Sequence, residues 1–208
     1  MNQKKICPYC GKEFNLIDNE LSEHSIFDYF LCKNCYKYIR SFMKGIIRMR
    51  TNRILWGPPW AIQKGHWQEL KRFLQGYNIR TILEYGCGLS TELLILDGYK
   101  VTCLEPLKWF GELFKKIVYK NIFIYDQGPN LRGIHDFVFN KMFDFALVDA
   151  PSSYQRKEEV IHATQYSSKF IYLHNPTENQ VSALEKVAWL PMTEWSKSRG
   201  YHRFWRRG

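Results

Sequence analysis

The amino-acid sequence predicts an α/β fold: a mostly parallel sheet covered by helices on both faces, with a small cysteine module ahead of it. Three observations carry this expectation. Strand-like and helix-like segments alternate from about Trp60 to the end of the 208 residues. A Gly86-Cys87-Gly88 turn closes the first of those strands, and two Cys-x-x-Cys pairs, Cys7/Cys10 and Cys32/Cys35, stand upstream. An apolar fraction of 45% with 16% aromatics excludes disordered and collagen-like classes.

Taken in order, the apolar spacing of Ile62, Trp67, Leu70, Phe73 and Leu74 predicts a helix over Trp60 to Tyr77. Ile79 to Tyr85 reads as the first strand, about Ser90 to Leu96 as a helix, and Lys100 to Glu105 as the second strand, stopped by Pro106. A helix over Leu107 to Tyr119 leads to a third strand, Asn121 to Asp126. A long loop with a short helix near His135 to Phe139 precedes the strand Phe143 to Asp149. Glu158 to Ser167 is read as helix, Lys169 to His174 as strand and Glu178 to Lys186 as helix. Arms at Ala188 to Glu194 and Gly200 to Arg206 form a terminal antiparallel hairpin.

Three zones result: residues 1–36 as a four-cysteine module, 37–59 as a basic linker helix and turn, and 60–208 as the α/β domain. The net charge is +10, and from Tyr29 to Gln68 there is no Asp or Glu. Lys33, Lys37, Arg40, Lys44 and Arg48 fall on one face of a helix, a stripe suited to RNA or another polyanion or simply to solvent. The chain has no run of eighteen apolar residues and no apolar signal core after Met1, which predicts a cytoplasmic protein without a transmembrane segment. In a reducing compartment Cys7, Cys10, Cys32 and Cys35, with twenty-one residues between the pairs, are expected to hold a structural zinc ion through four thiolates.

The Gly86-Cys87-Gly88 turn lets the backbone approach a ligand, and the helix after it offers free N–H groups. Glu105, at the end of the second strand, can take both hydroxyls of a ribose, so a nucleotide-like ligand is expected. The run Glu84-Tyr85-Gly86-Cys87-Gly88, followed by Glu105, resembles motifs I and II of class I S-adenosylmethionine-dependent methyltransferases. Thr91 stands where a dinucleotide fingerprint has its third glycine, and Glu84 stands two residues before the first; both favour S-adenosylmethionine over NAD.

The resemblance spans about Gly65 to Arg207. It implies a seven-stranded Rossmann-like sheet of order 3-2-1-4-5-7-6 with an antiparallel last strand. It further implies Glu84, Gly86 and Gly88 at the methionine end, Glu105 at the ribose, and Asp126 with Gln127 near the adenine. Some rRNA methyltransferases carry a cysteine-rich zinc module before the catalytic domain, and the layout here is similar in outline.

The acceptor side carries no standard signature. Asp149-Ala150-Pro151 departs from the Asp/Asn-Pro-Pro-aromatic motif, no Pro-Cys nucleophile is present, and Gly57-Pro58-Pro59-Trp60 reads as a turn. Asp149 with His174-Asn175 is similar to the Asp … Asp-Asn metal triad of small O-methyltransferases, with His174 in place of the second Asp. This leaves two roles open: a second divalent metal near Asp149 and Asn175, or His174 as general base. The expected function is therefore methyl transfer to nucleic acid, favoured as RNA. The alternatives are a small-molecule or sugar O-methyltransferase, metal-assisted or not, and a non-catalytic cofactor-binding protein.

Overall fold

The computed structural model describes residues 3–6, 13–16, 25–26, 29–30, 62–106, 111–112, 115, 122–124, 134–149, 156–195, 197–198 and 200–208. The chain divides into two compact units, Met1–Gln63 and Lys64–Gly208.

In the first unit β1 (Gln3–Ile6) pairs antiparallel with β2 (Glu13–Leu16), and β3 (Ser25–Ile26) with β4 (Tyr29–Phe30). Lys4 and Glu13 form an exposed ion pair at 3.3 Å, a contact of small energetic weight in water. The expected zinc ligands Cys7, Cys10, Cys32 and Cys35 lie outside the described residues, as do Lys33, Lys37, Arg40, Lys44 and Arg48.

The second unit opens with α1 (Lys64–Gly76), whose Trp67, Leu70, Phe73 and Leu74 are buried at helical spacing. Phe73 anchors it, stacked on Phe204 at 4.3 Å between ring centroids and edge-on to Phe170 at 5.1 Å. Then follow β5 (Thr81–Tyr85), α2 (Leu89–Leu96), β6 (Lys100–Glu105), β7 (Ile122–Ile124) and a 3-10 turn at Ile134–Asp136. The chain continues through β8 (Phe143–Val148), α3 (Arg156–Tyr166), β9 (Ser167–Leu173), α4 (Glu178–Lys186) and β10 (Trp189–Pro191). It ends with β11 (Lys197–Ser198), β12 (Tyr201–His202) and β13 (Phe204–Arg207).

Seven strands join in the order β7-β6-β5-β8-β9-β13-β10. Counted along the chain within this sheet, that is 3-2-1-4-5-7-6. The pairs among β5 to β9 are parallel, and β13 runs antiparallel to both β9 and β10. The middle residues of the four inner parallel strands are mostly buried and apolar, as cover on both faces requires, while polar residues such as Lys100, Asp144 and Lys169 stand toward their starts. Strands β11 and β12 form a separate two-stranded ladder within the terminal hairpin.

Several boundaries differ from the sequence expectation for local reasons. Asn78 turns the chain with a positive φ of 50°, and the β5 ladder starts at Thr81, so Ile79 and Arg80 precede the strand. The Asp144 carboxylate accepts from the backbone N–H groups of Arg80 and Thr81 and fixes that start. Strand β9 begins at Ser167 directly after α3, two residues earlier than its apolar pattern indicates. Among the described residues no helix is long and apolar enough to cross a membrane.

Candidate cofactor and acceptor site

Four parallel strands end together, and their ends are tied by the backbone. Gly86 N–H donates to Leu104 O at 2.8 Å, Asp149 N–H to Tyr85 O at 3.0 Å, and His174 N–H to Val148 O at 3.0 Å. The glycine turn, Glu105, Asp149 and His174 therefore share the carboxyl edge of the sheet, the edge where open α/β sheets bind ligands. Gly86 has φ 88°, which a side chain disfavours, whereas Gly88 is extended and leaves open space where a Cβ would stand.

Two buried carboxylates flank this turn. Glu105 accepts the Cys87 N–H at 2.7 Å and so holds the turn against β6. Glu84, wholly buried, accepts from Ser90 Oγ through Oε1 at 2.5 Å, while its Oε2 is buried without a hydrogen-bond partner. Burial pushes the Glu84 carboxyl up to about 8, against the opposing pull of the Ser90 and Thr91 hydroxyls. Thr91 accepts the Gly88 N–H at 2.8 Å and closes the first turn of α2. Cys87 and Cys103 are buried free thiols beside it, and burial raises Cys103 to about 12. They are inert neighbours, not nucleophiles. Asp126 and Gln127 lie outside the described residues.

Past the ends of β8 and β9, His174 Nδ1 meets Asp149 Oδ1 at 2.5 Å, and its Nε2 lies 3.3 Å from His66 Nδ1 in the first turn of α1. His174 is buried; its ring lies nearly parallel to that of Tyr172, 6.5 Å away. Burial, with Arg203 and His174 nearby, lowers His66 to about 4 against the pull of Asp149, so it is neutral at pH 7. Behind them Arg203 and Glu69 form a buried ion pair at 3.0 Å.

Asp149 and His174 are engaged with each other, and among the described residues no group of three His, Cys, Asp or Glu is arranged to hold a metal ion. Asn175, two residues past β9, turns the chain at a positive φ of 50°, a conformation Asn tolerates, and its Oδ1 accepts from Ser198 Oγ at 3.4 Å.

No protein-family profile and no curated protein matches the chain. Solved structures similar to it include the N-methyltransferase NodS from Bradyrhizobium japonicum WM9, at 13% identity and TM-score 0.49 over 69% of this chain and 94% of that one. Another is the O-methyltransferase from Bacillus cereus in complex with SAH, at 17% identity and TM-score 0.49 over 80% and 89%. A third is the O-methyltransferase TomG from Streptomyces achromogenes in complex with SAM, at 16% identity and TM-score 0.48 over 81% and 90%. Likenesses this distant do not assign a reaction to the chain.

His66, Arg203 and Gly111 were not legible as site residues. The one signal for His66 is that it and Glu69 occupy the helical face that buries Phe73, three and four residues apart, where a purely structural helix would be apolar. Gly111 is a glycine because a Cβ there would stand 2.9 Å from Ile124 Cγ1 and 3.2 Å from Glu105 Cγ.

Proposed function

We propose that residues 64–208 are an S-adenosylmethionine-dependent methyltransferase domain. The observation that carries this is Glu84: a fully buried carboxyl at the glycine turn with one oxygen unpartnered. An uncompensated polar atom in that position calls for a ligand cation. The cofactor's amino group supplies one at its methionine end, and Glu105, across the turn, suits the ribose hydroxyls. Gly88 leaves room for the ligand beside the backbone. When bound, the cofactor supplies an activated methyl group on a sulfonium, so the protein's part is to hold the acceptor in line and to receive its proton.

RNA is the acceptor this reading favours. Supporting it are the charge of +10 and the absence of acid from Tyr29 to Gln68, with Lys33, Lys37, Arg40, Lys44 and Arg48 on one expected helical face. In the same reading Cys7, Cys10, Cys32 and Cys35 hold one structural zinc ion, which gives the first unit the stability its short strands lack. The Asp149–His174 pair supports a second reading, methyl transfer to a hydroxyl of a small metabolite or sugar.

The deciding experiment follows labelled methyl from S-adenosylmethionine into a cell extract, with the wild type and Glu105→Ala in parallel, before and after nuclease. Nuclease-sensitive label that requires Glu105 is the expected result. Label in small, nuclease-resistant molecules selects the second reading, and cofactor binding without any transfer refutes both. Metal analysis of the full chain should return one zinc per chain, lost when Cys7 and Cys10 are replaced by Ser.

A further inference from the structure

Three side chains remote in sequence form one hydrogen-bonded line at the carboxyl edge of the sheet. Asp149 directly follows β8, His174 directly follows β9, and His66 lies in the first turn of α1. The carboxylate accepts from His174 Nδ1, which makes that nitrogen the protonated one and leaves Nε2 to face His66 Nδ1 at 3.3 Å. A His174 that carries a single proton keeps it on Nδ1 against the carboxylate and offers a lone pair at Nε2, and in that form the 3.3 Å contact is made by His66 Nδ1 donating. This places the lone pair of His66 at its Nε2, the far end of the line. Half-exposed His66 has no partner for that nitrogen among the described residues.

From this geometry we propose that His66 is the catalytic base of the domain, that Asp149 and His174 position it and take up its proton, and that the acceptor atom is a hydroxyl oxygen. The inference rests on the methyltransferase reading. In the step, the acceptor's O–H bond breaks as its oxygen forms a bond to the methyl carbon and the sulfur–methyl bond breaks. The proton goes to His66 Nε2, and the proton on His66 Nδ1 passes to His174 Nε2. The positive charge that begins on the sulfonium ends on the His174 imidazolium, paired with the Asp149 carboxylate, and the cofactor leaves as a neutral sulfide.

The surroundings agree with this direction of transfer. Arg203, held by Glu69, opposes a cation on His66, so a proton arriving there is driven onward to His174 beside Asp149. The line as a whole accepts one proton even though His66 by itself holds one weakly. A hydroxyl suits such a line because it carries its proton into the transition state and cannot ionise unaided near neutral pH.

Two measurements on the full chain test this. Long-range proton–nitrogen NMR of histidine-labelled protein at pH 7.5 reads the tautomers without any acceptor. The expected result is Nδ1–H on both His66 and His174, with the His174 proton far downfield and lost in Asp149→Asn. A proton on His66 Nε2 overturns the proposal. For transfer into the extract, His66→Gln should lose about 100-fold or more in turnover while its affinity for S-adenosylmethionine stays within about twofold. Imidazole added to His66→Ala should restore part of the rate. Transfer by His66→Gln at the wild-type rate overturns the proposal. A wild type that transfers nothing instead refutes the methyltransferase reading, and the NMR result then still decides the hydrogen-bonded line.

Discussion

Ser90 Oγ donates to Glu84 Oε1 at 2.5 Å, which fixes the buried carboxyl against the start of α2 and leaves Oε2 without a partner. Because the Glu84 carboxyl is raised to about 8, it is mostly protonated at neutral pH before ligand arrives. A ligand cation that needs the carboxylate must expel that proton. Affinity for S-adenosylmethionine should therefore climb by up to about tenfold per pH unit as pH rises toward 8 and fall again above it, where the cofactor's α-amino group loses its own proton. Calorimetry across pH 6 to 9 measures this, and Glu84→Gln should bind more weakly without the rise toward pH 8. Absence of that rise in the wild type would exclude Glu84 from the cation's site.

Gly111 holds open the space between Glu105 and β7. The Cβ of Gly111→Ala would stand 2.9 Å from Ile124 Cγ1 and 3.2 Å from Glu105 Cγ, closer than real contacts allow. Something must shift, at a cost of about 1–3 kcal/mol for such overpacking. The expected outcome is weaker cofactor binding together with a lower melting temperature. Adding Ile124→Ala, which removes the nearer obstacle, should recover part of the binding.

The elements were legible because most of them follow apolar periodicity. Phe143 to Val148 is a run buried except at Asp144, and Phe73 sits among Trp67, Leu70 and Leu74 at helical spacing, patterns that survive in one dimension. The glycine turn and Glu105 were legible too, since a strand, a turn and a spaced acid are local in sequence. The line from Asp149 to His66 was not. It includes His66 and His174, 108 residues apart, and the one local sign of His66 is its place with Glu69 on the helical face that buries Phe73. The turn at Asn175 was not legible for the same reason: beside His174 the residue reads as a candidate ligand, and only the backbone shows its left-handed conformation.

His162 ties the glycine strand to the loop before β8. Its Nε2 lies 2.8 Å from Phe137 O, a carbonyl that can only accept, so the proton is on Nε2 and Nδ1 receives the Tyr85 hydroxyl at 2.7 Å. Burial lowers His162 to about 4, so it folds neutral, while in the unfolded chain it titrates near 6.5. Its contribution is fully present above pH 6.5, and stability is lost as pH falls from there toward 4, where the loss levels off, with a slope of at most about 1.4 kcal/mol per pH unit from this group. Thermal melts from pH 4 to 8 should show this slope in the wild type and a shallower one in His162→Gln. At pH 7.5 Tyr85→Phe should cost about 1–3 kcal/mol, because His162 Nδ1 is left buried and unpaired.

Glu69 and Arg203 pair at 3.0 Å with both side chains nearly inaccessible, joining α1 to the terminal hairpin just ahead of β13. Charges so deeply placed each need the other: removing one strands its partner in an apolar setting, at about 3–5 kcal/mol. Glu69→Gln and Arg203→Met should each lower the unfolding free energy by that amount, read by denaturant titration, and the double variant should lose less than the sum of the two. The same pair faces His66, where Arg203 disfavours the imidazolium. A double variant that keeps the fold should therefore raise the His66 titration midpoint, read by NMR, while leaving the Asp149–His174 hydrogen bond in place. If the midpoint does not move, Arg203 has no electrostatic hold on His66 and burial alone keeps that ring neutral.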